Sequence, residues 1–238
     1  GDHALSPPAR SNPRHGLRSP GLWVLPHDRS RLRRLAIGAV LFGLQSSAVS
    51  AYTATLTPAS PRRVYLQVGV GSFTANYLDG GKPGNNTAIN TVSVTVAPGA
   101  VGTGVAQAMK SDSTAANSFL DGYAYCNLPG QVYIGGFYRT TWGATAAALV
   151  TATVPAALTN AAGNTIPFSK IGWTSSGNGD TGSEPFPSGT FVSGGVQNVG
   201  SMPSNTWNES CWAFSYLNNT VPPAGTFTGA VRYTLSSP

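Results

Sequence analysis

Residues 225–238 read GTFTGAVRYTLSSP. Phe227, Gly229, Val231, Tyr233 and Leu235 fall on one parity, and Thr226, Thr228, Ala230, Arg232, Thr234 and Ser236 fall on the other. Successive side chains of an extended chain point to opposite faces, so this period of two predicts a half-buried antiparallel strand with one apolar face.

The same period recurs upstream. In 63–71, Val64, Leu66, Val68 and Val70 alternate with Tyr65, Gln67 and Gly69. In 90–97, Val92, Val94 and Val96 alternate with threonine and serine, and Val150, Ala152 and Val154 do so around Thr151 and Thr153. Further strands are expected at 131–138, 166–174, 189–197 and 211–217. Asp79-Gly80-Gly81, Pro83-Gly84-Asn85-Asn86, Pro98-Gly99, Pro129-Gly130, Gly163-Asn164 and Pro222-Pro223 punctuate the runs with turn chemistry. About nine strands with frequent turns predict one antiparallel β-sandwich over residues 52–238. Short helical pieces are expected at 113–119 or 156–161.

The first 51 residues differ in kind. Residues 1–28 are rich in Pro, Arg and Ser, lack periodicity, and read as a disordered or non-native extension. Residues 29–51 have the three parts of a signal peptide: Arg29, Arg31, Arg33 and Arg34, the apolar run LAIGAVLFGL (35–44), and a small-residue end. Val49 and Ala51 suit the −3 and −1 positions, which predicts cleavage before Tyr52. Ten apolar residues span about 15 Å as a helix, roughly half a bilayer core. A membrane anchor is the weaker reading, so the processed chain is expected not to be an integral membrane protein. Arg33-Arg34 also permits a twin-arginine reading.

Removing this leader changes the charge argument. It holds seven arginines against two aspartates, whereas 52–238 balances seven basic groups against six acids. A nearly neutral body has no footprint for a phosphate backbone, so no nucleic-acid partner is expected. His3, His15 and His27 all lie in the leader. The body thus has no histidine for a Ser-His-Asp or Cys-His triad, or for an imidazole-ligated zinc. No cofactor is expected.

Export suits the two cysteines. Cys126 and Cys211 have no CxxC partner and predict one structural disulfide. Closing a loop of about 85 residues is worth about 4.6 kcal/mol in the chain-entropy treatment.

The carboxylates leave three readings open. Asp79, Asp121 and Asp180 adjoin glycine and read first as turn residues, though a glycosidase-like pair is the alternative. Asn178, Asp180 and Glu184 could offer oxygens to calcium, without a defined loop spacing. Trp207, Trp212, Phe214 and Tyr216 form an aromatic cluster in NTWNESCWAFSYLNN, with Trp212, Phe214 and Tyr216 on one face and Cys211 on the other. Such a face either packs a core or, if exposed, stacks on the sugar rings of surface glycans. Asn85, Asn208 and Asn218 head glycosylation sequons.

The C-terminal run resembles the last strand of chaperone–usher fimbrial subunits. In that family a glycine fourteen residues from the end precedes alternating apolar residues and a tyrosine. Gly225, Phe227, Gly229, Val231, Tyr233 and Leu235 match this pattern, and NTIPFSKIGWTS (164–175) looks like a stretch of secreted pilin-like proteins. The resemblance implies an immunoglobulin-like sandwich that lacks a strand and is finished by strand exchange. A periplasmic chaperone, then another fibre subunit, would supply the strand. Tyr52, Ala54 and Leu56 alternate with threonine as a donor strand would, and 63–71 fits the same role by pattern. The expectation is an exported, non-enzymatic fimbrial subunit that goes from periplasm to cell surface. A secreted carbohydrate-binding or adhesive module is the alternative, and a carboxylate hydrolase the third class.

Overall fold

Segment 148–154 shows how these strands arise. Ala148, Val150, Ala152 and Val154 are buried, while Leu149 and Thr153 are exposed. Small and β-branched residues on one parity give a flat apolar face that another sheet can cover.

The computed structural model describes residues 53–74, 81–84, 88–178 and 183–238. The expected signal segment, its cleavage site at Val49, Ala51 and Tyr52, and Asp79, Asn85 and Asp180 lie outside them.

The N-terminal strands are β1 (Thr53–Thr55), β2 (Arg63–Val68), β3 (Phe73–Thr74), β4 (Lys82–Pro83) and β5 (Val92–Ser93). Next come β6 (Gln107–Ala108), β7 (Lys110–Ser111), β8 (Val132–Arg139), β9 (Ala148–Val154), β10 (Ala157–Thr159) and β11 (Thr165–Pro167). The series ends with β12 (Ile171–Ser176), β13 (Gly189–Thr190), β14 (Gly195–Met202), β15 (Thr206–Tyr216) and β16 (Arg232–Ser236). The described residues contain no α-helix, only 3-10 turns at Pro98–Ala100 and Phe168–Lys170.

The larger sheet runs β13–β12–β15–β8–β2, all antiparallel, with β15 as its axis. β8 pairs with residues 206–210 of β15 and β12 with 211–216. β1 and β6 add short pairings at 206–208 and 215–216. The second sheet is β14–β9–β16, and β10 and β11 form a separate hairpin. The fold is therefore an all-β antiparallel sandwich. Its inter-sheet core includes Ile134, Val150, Trp173, Phe191, Trp212 and Phe214.

Several expectations change: strand 90–97 is reduced to Val92–Ser93, the 3-10 turn at Phe168–Lys170 divides 166–174, and 189–197 divides into β13 and β14, which join different sheets. The expected helical pieces are absent: 157–159 is a strand, and 113–119 has no regular structure beyond a bridge from Asn117 to Ala124. Serine side chains there hydrogen-bond locally, Ser113 Oγ accepting from the Ala115 amide at 3.3 Å and Ser118 Oγ from the Leu120 amide at 3.1 Å, and this competes with a helix. The C-terminal strand is also shorter than its alternation, covering 232–236, while the backbone of 225–231 makes one β-bridge, Thr159 to Thr228. Gly225 has φ +153°, and at Gly229 the place of a Cβ lies 2.6 Å from Phe168 Cε2. Glycine in such positions interrupts pairing and permits close approach.

The large sheet is buried on both faces along β8 and residues 207–212 of β15. Its reverse face, away from the second sheet, is covered by segment 113–126 and by the N-terminal residues around Leu56. Cys126 and Cys211 are bonded there, with Cα atoms 5.5 Å apart, as expected.

Candidate functional site

Each sheet ends in a strand that is paired on one side only. β16 pairs with β9, from Arg232 opposite Thr153 to Ser236 opposite Leu149, and has no second strand partner among the described residues. Of the expected interface residues, Phe227, Val231, Tyr233 and Leu235 are half-buried against the inter-sheet core, whereas Gly225 and Gly229 are exposed. Tyr233 lies 5.8 Å from Trp212 between ring centroids, and burial raises its hydroxyl pKa. Arg232, Thr234 and Ser236 face solvent.

β2 is the matching edge of the larger sheet. It pairs with β8 alone, and Leu66 and Val68 lie half-buried against the same core as β16. An open cleft follows this strand, lined in part by Val64, Leu66, Val68, Val70 and Pro83. β2 and β16 approach each other, and Arg62 Nη1 donates to the Pro238 carbonyl where their ends meet. The sandwich thus has an edge at which neither sheet continues and apolar residues from both are incompletely covered. Unpaired N–H and C=O groups on such an edge are a template for another strand.

The expected donor segment sits elsewhere. Thr53, Ala54 and Thr55 pair with Asn208, Trp207 and Thr206 of the same chain. Leu56 is buried among Tyr65, Phe137 and Trp207, and its amide donates to Asn205 O at 2.8 Å. Arg139 Nε donates to Thr57 O at 2.5 Å, fixing the chain just beyond. The segment completes its own sheet, so a donor role requires it to leave β15.

The aromatic cluster is core. Trp207 and Trp212 are fully buried, and Phe214 and Tyr216 are buried as well. Trp212 packs 5.1 Å from Trp173 between ring centroids, and its indole N–H donates to Phe186 O at 3.0 Å. No ring face remains for a sugar, which corrects the glycan-stacking expectation for Trp207, Trp212, Phe214 and Tyr216. The alternation set Trp212, Phe214 and Tyr216 opposite Cys211, as the structure has them, but β15 is covered on both faces along 207–212. Among the described residues the large exposed aromatics are instead Trp142, 85% exposed between β8 and β9, and Tyr123.

The other polar candidates hold the fold together. Asn178 Nδ2 donates to Ala124 O at 3.0 Å, and Asp121 Oδ1 accepts from the Tyr123 amide at 2.9 Å, in keeping with its turn reading. Asp112 accepts from Asn90 Nδ2 and the Thr91 amide, which lowers its pKa. Asn218, a sequon residue, is buried and bonds to Gly102, Ala100 and Val105, and Asn208 is buried as well. Neither offers a free amide for glycan attachment. Among the described residues no three His, Cys, Asp or Glu side chains gather as metal ligands would.

One acid escaped the sequence reading. Glu209 is fully buried on the reverse face, between Trp207 and Cys211. Its Oε2 accepts from Tyr133 Oη at 2.7 Å, Trp207 Nε1 at 2.9 Å and Ser118 Oγ at 3.0 Å. Oε1 has no partner. Burial raises the carboxyl pKa and outweighs these three donors, which pull it down. The signal was present in the period of two, because Trp207, Glu209 and Cys211 share a parity.

The chain matches no protein-family model, no curated protein and no solved structure.

Proposed function

We propose that this chain is an exported, non-enzymatic structural subunit of a bacterial surface fibre, which accepts a strand from another chain at the edge between β2 and β16. One observation carries the reading: the terminal strand β16 is paired only with β9 among the described residues, and Val231, Tyr233 and Leu235 are half-covered beside the unpaired edge of β2. An added strand would bury those side chains and satisfy the free backbone groups of both edges. A periplasmic chaperone would cover the edge first, and the N-terminal segment of a neighbouring subunit would replace it. The near balance of charge in 52–238 and the single disulfide suit a durable, inert building element.

A synthetic peptide of residues 52–62 tests the site. Hydrogen exchange on the full chain with saturating peptide should show slowed amides in 231–236 and 63–68. Unchanged exchange in both segments would sink the proposal. Protection confined to 205–208 would show instead that the peptide had replaced the chain's own β1.

A further inference from the structure

Glu209 sits where three elements meet: β15 carries it with Trp207, β8 supplies Tyr133, and segment 113–126 supplies Ser118. Tyr125, also from that segment, donates from its hydroxyl to the Glu209 backbone carbonyl at 2.9 Å. Cys126 anchors the segment's end to Cys211, two residues along β15. We propose that this carboxyl is a proton-operated latch: with its proton it holds segment 113–126 against β8 and β15, and without it the segment loosens.

The charges around the group set the direction. Its side-chain partners are a serine, a tyrosine and a tryptophan, all neutral donors. The charged neighbour that acts on it is Asp121, from the same segment and of the same sign. On β8, Tyr133 is itself held far above its ordinary pKa, first by burial and then by the Glu209 charge, with Tyr65 of β2 adding a smaller push. A buried carboxylate with no cation beside it is costly, and among the described residues one of its oxygens has no donor. As a neutral acid the group keeps its three donors on Oε2 at much lower cost.

The sign follows from linkage. A carboxyl whose folded pKa lies above its unfolded value contributes stability in full below the unfolded value and loses it as pH rises through the folded one. Water can reach the carboxylate in two ways. Parting β8 from β15 breaks the centre of the sheet, whereas lifting 113–125 releases Ser118 from the carboxyl, Tyr125 from the Glu209 carbonyl and Asn178 from Ala124 and Tyr125, and leaves the ladder and the disulfide intact. The second is the smaller change.

Hydrogen exchange across pH 5 to 9 on the full chain, corrected for intrinsic rates, reads the latch. The amide of Asn178, which donates to Tyr125 O from beyond β12, reports the lifting, and those of Ser118, Gly122 and Tyr125, bonded within the segment, report its loosening. Their protection in the wild type should fall with rising pH, by up to roughly tenfold per pH unit between the carboxyl's ordinary value and its raised folded value, and level off above the latter. Amides of β8 and β15 should hold. In Glu209→Gln, which cannot ionise, the fall should vanish. Equal protection at both ends of the range in the wild type, or the same fall in the glutamine variant, overturns the latch. If that variant does not fold, the infrared carbonyl band of the wild type labelled at glutamate decides. A protonated buried carboxyl that disappears as the segment opens supports the latch, and its absence at pH 5 overturns it.

Discussion

β8 and β15 present two faces to two different interiors. Toward the second sheet they offer Val132, Ile134, Trp212 and Phe214, an apolar surface whose one indole N–H is satisfied by a backbone carbonyl. On the reverse, the same two strands carry Tyr133, Phe137, Trp207, Glu209 and Cys211, equally buried but tied together by hydrogen bonds and a disulfide. The first face is held by buried area, which responds little to pH. The second depends on donors converging on a single acid and on a covalent tether. Two faces of one strand pair can thus be equally dry and still fail under different conditions.

The two tryptophans test this contrast most strongly. Trp212→Ala should cost about 3–5 kcal/mol, the usual loss for a large buried aromatic. Urea denaturation should give the same cost at pH 5 and pH 8. Trp207→Ala removes the same volume and also a donor to Glu209. That donor stabilises the ionised carboxyl most, so its loss should cost more at pH 8 than at pH 5. A matching pH dependence in the two variants would erase the distinction between the faces.

The tether comes next in size. Replacing Cys126 and Cys211 together by alanine should cost about 2–5 kcal/mol. Most of the local loosening should fall on 113–126, where amides such as those of Tyr125 and Cys126 bond to Ala116 O. Exchange in the β12–β15 ladder should change only as global stability changes. Loosening that begins in β12 would place the support of the inter-sheet core partly in the disulfide.

The same contrast explains what the residues revealed in advance. The inter-sheet face was legible because β9 and β16 alternate with solvent on their other side. The disulfide was legible because two cysteines leave one pairing. β8 is buried at every position, so its alternation carried no contrast between inside and outside. For β15, parity separated Trp207 from Trp212, but nothing local announced that 113–126 and Leu56 would fold over the reverse face. That cover turned the aromatic cluster from a candidate sugar platform into core and turned Glu209 from a surface acid into a buried one. The edge strand β16 was legible as a strand from its alternation. Its unpaired side was not, because a missing neighbour leaves no mark on the residues that lack it.

The smallest test is at the rim of the apolar face. Gly229 lies against Phe168 and Leu158, and an added Cβ would stand 2.6 Å from Phe168 Cε2 and 3.0 Å from Leu158 Cδ2. Both are side-chain ends that can shift, so Gly229→Ala should cost about 1 kcal/mol by overpacking. No ionisable group takes part in that contact, so its cost should be equal at pH 5 and pH 8, as for Trp212→Ala. Phe168 belongs to the same core as Trp212 without being its direct ring partner. The two losses should therefore add within about 0.5 kcal/mol in the double variant. A larger coupling would mean that the rim and the centre of this face rearrange together, and that the face held by area is one mechanical unit from Gly229 to Trp212.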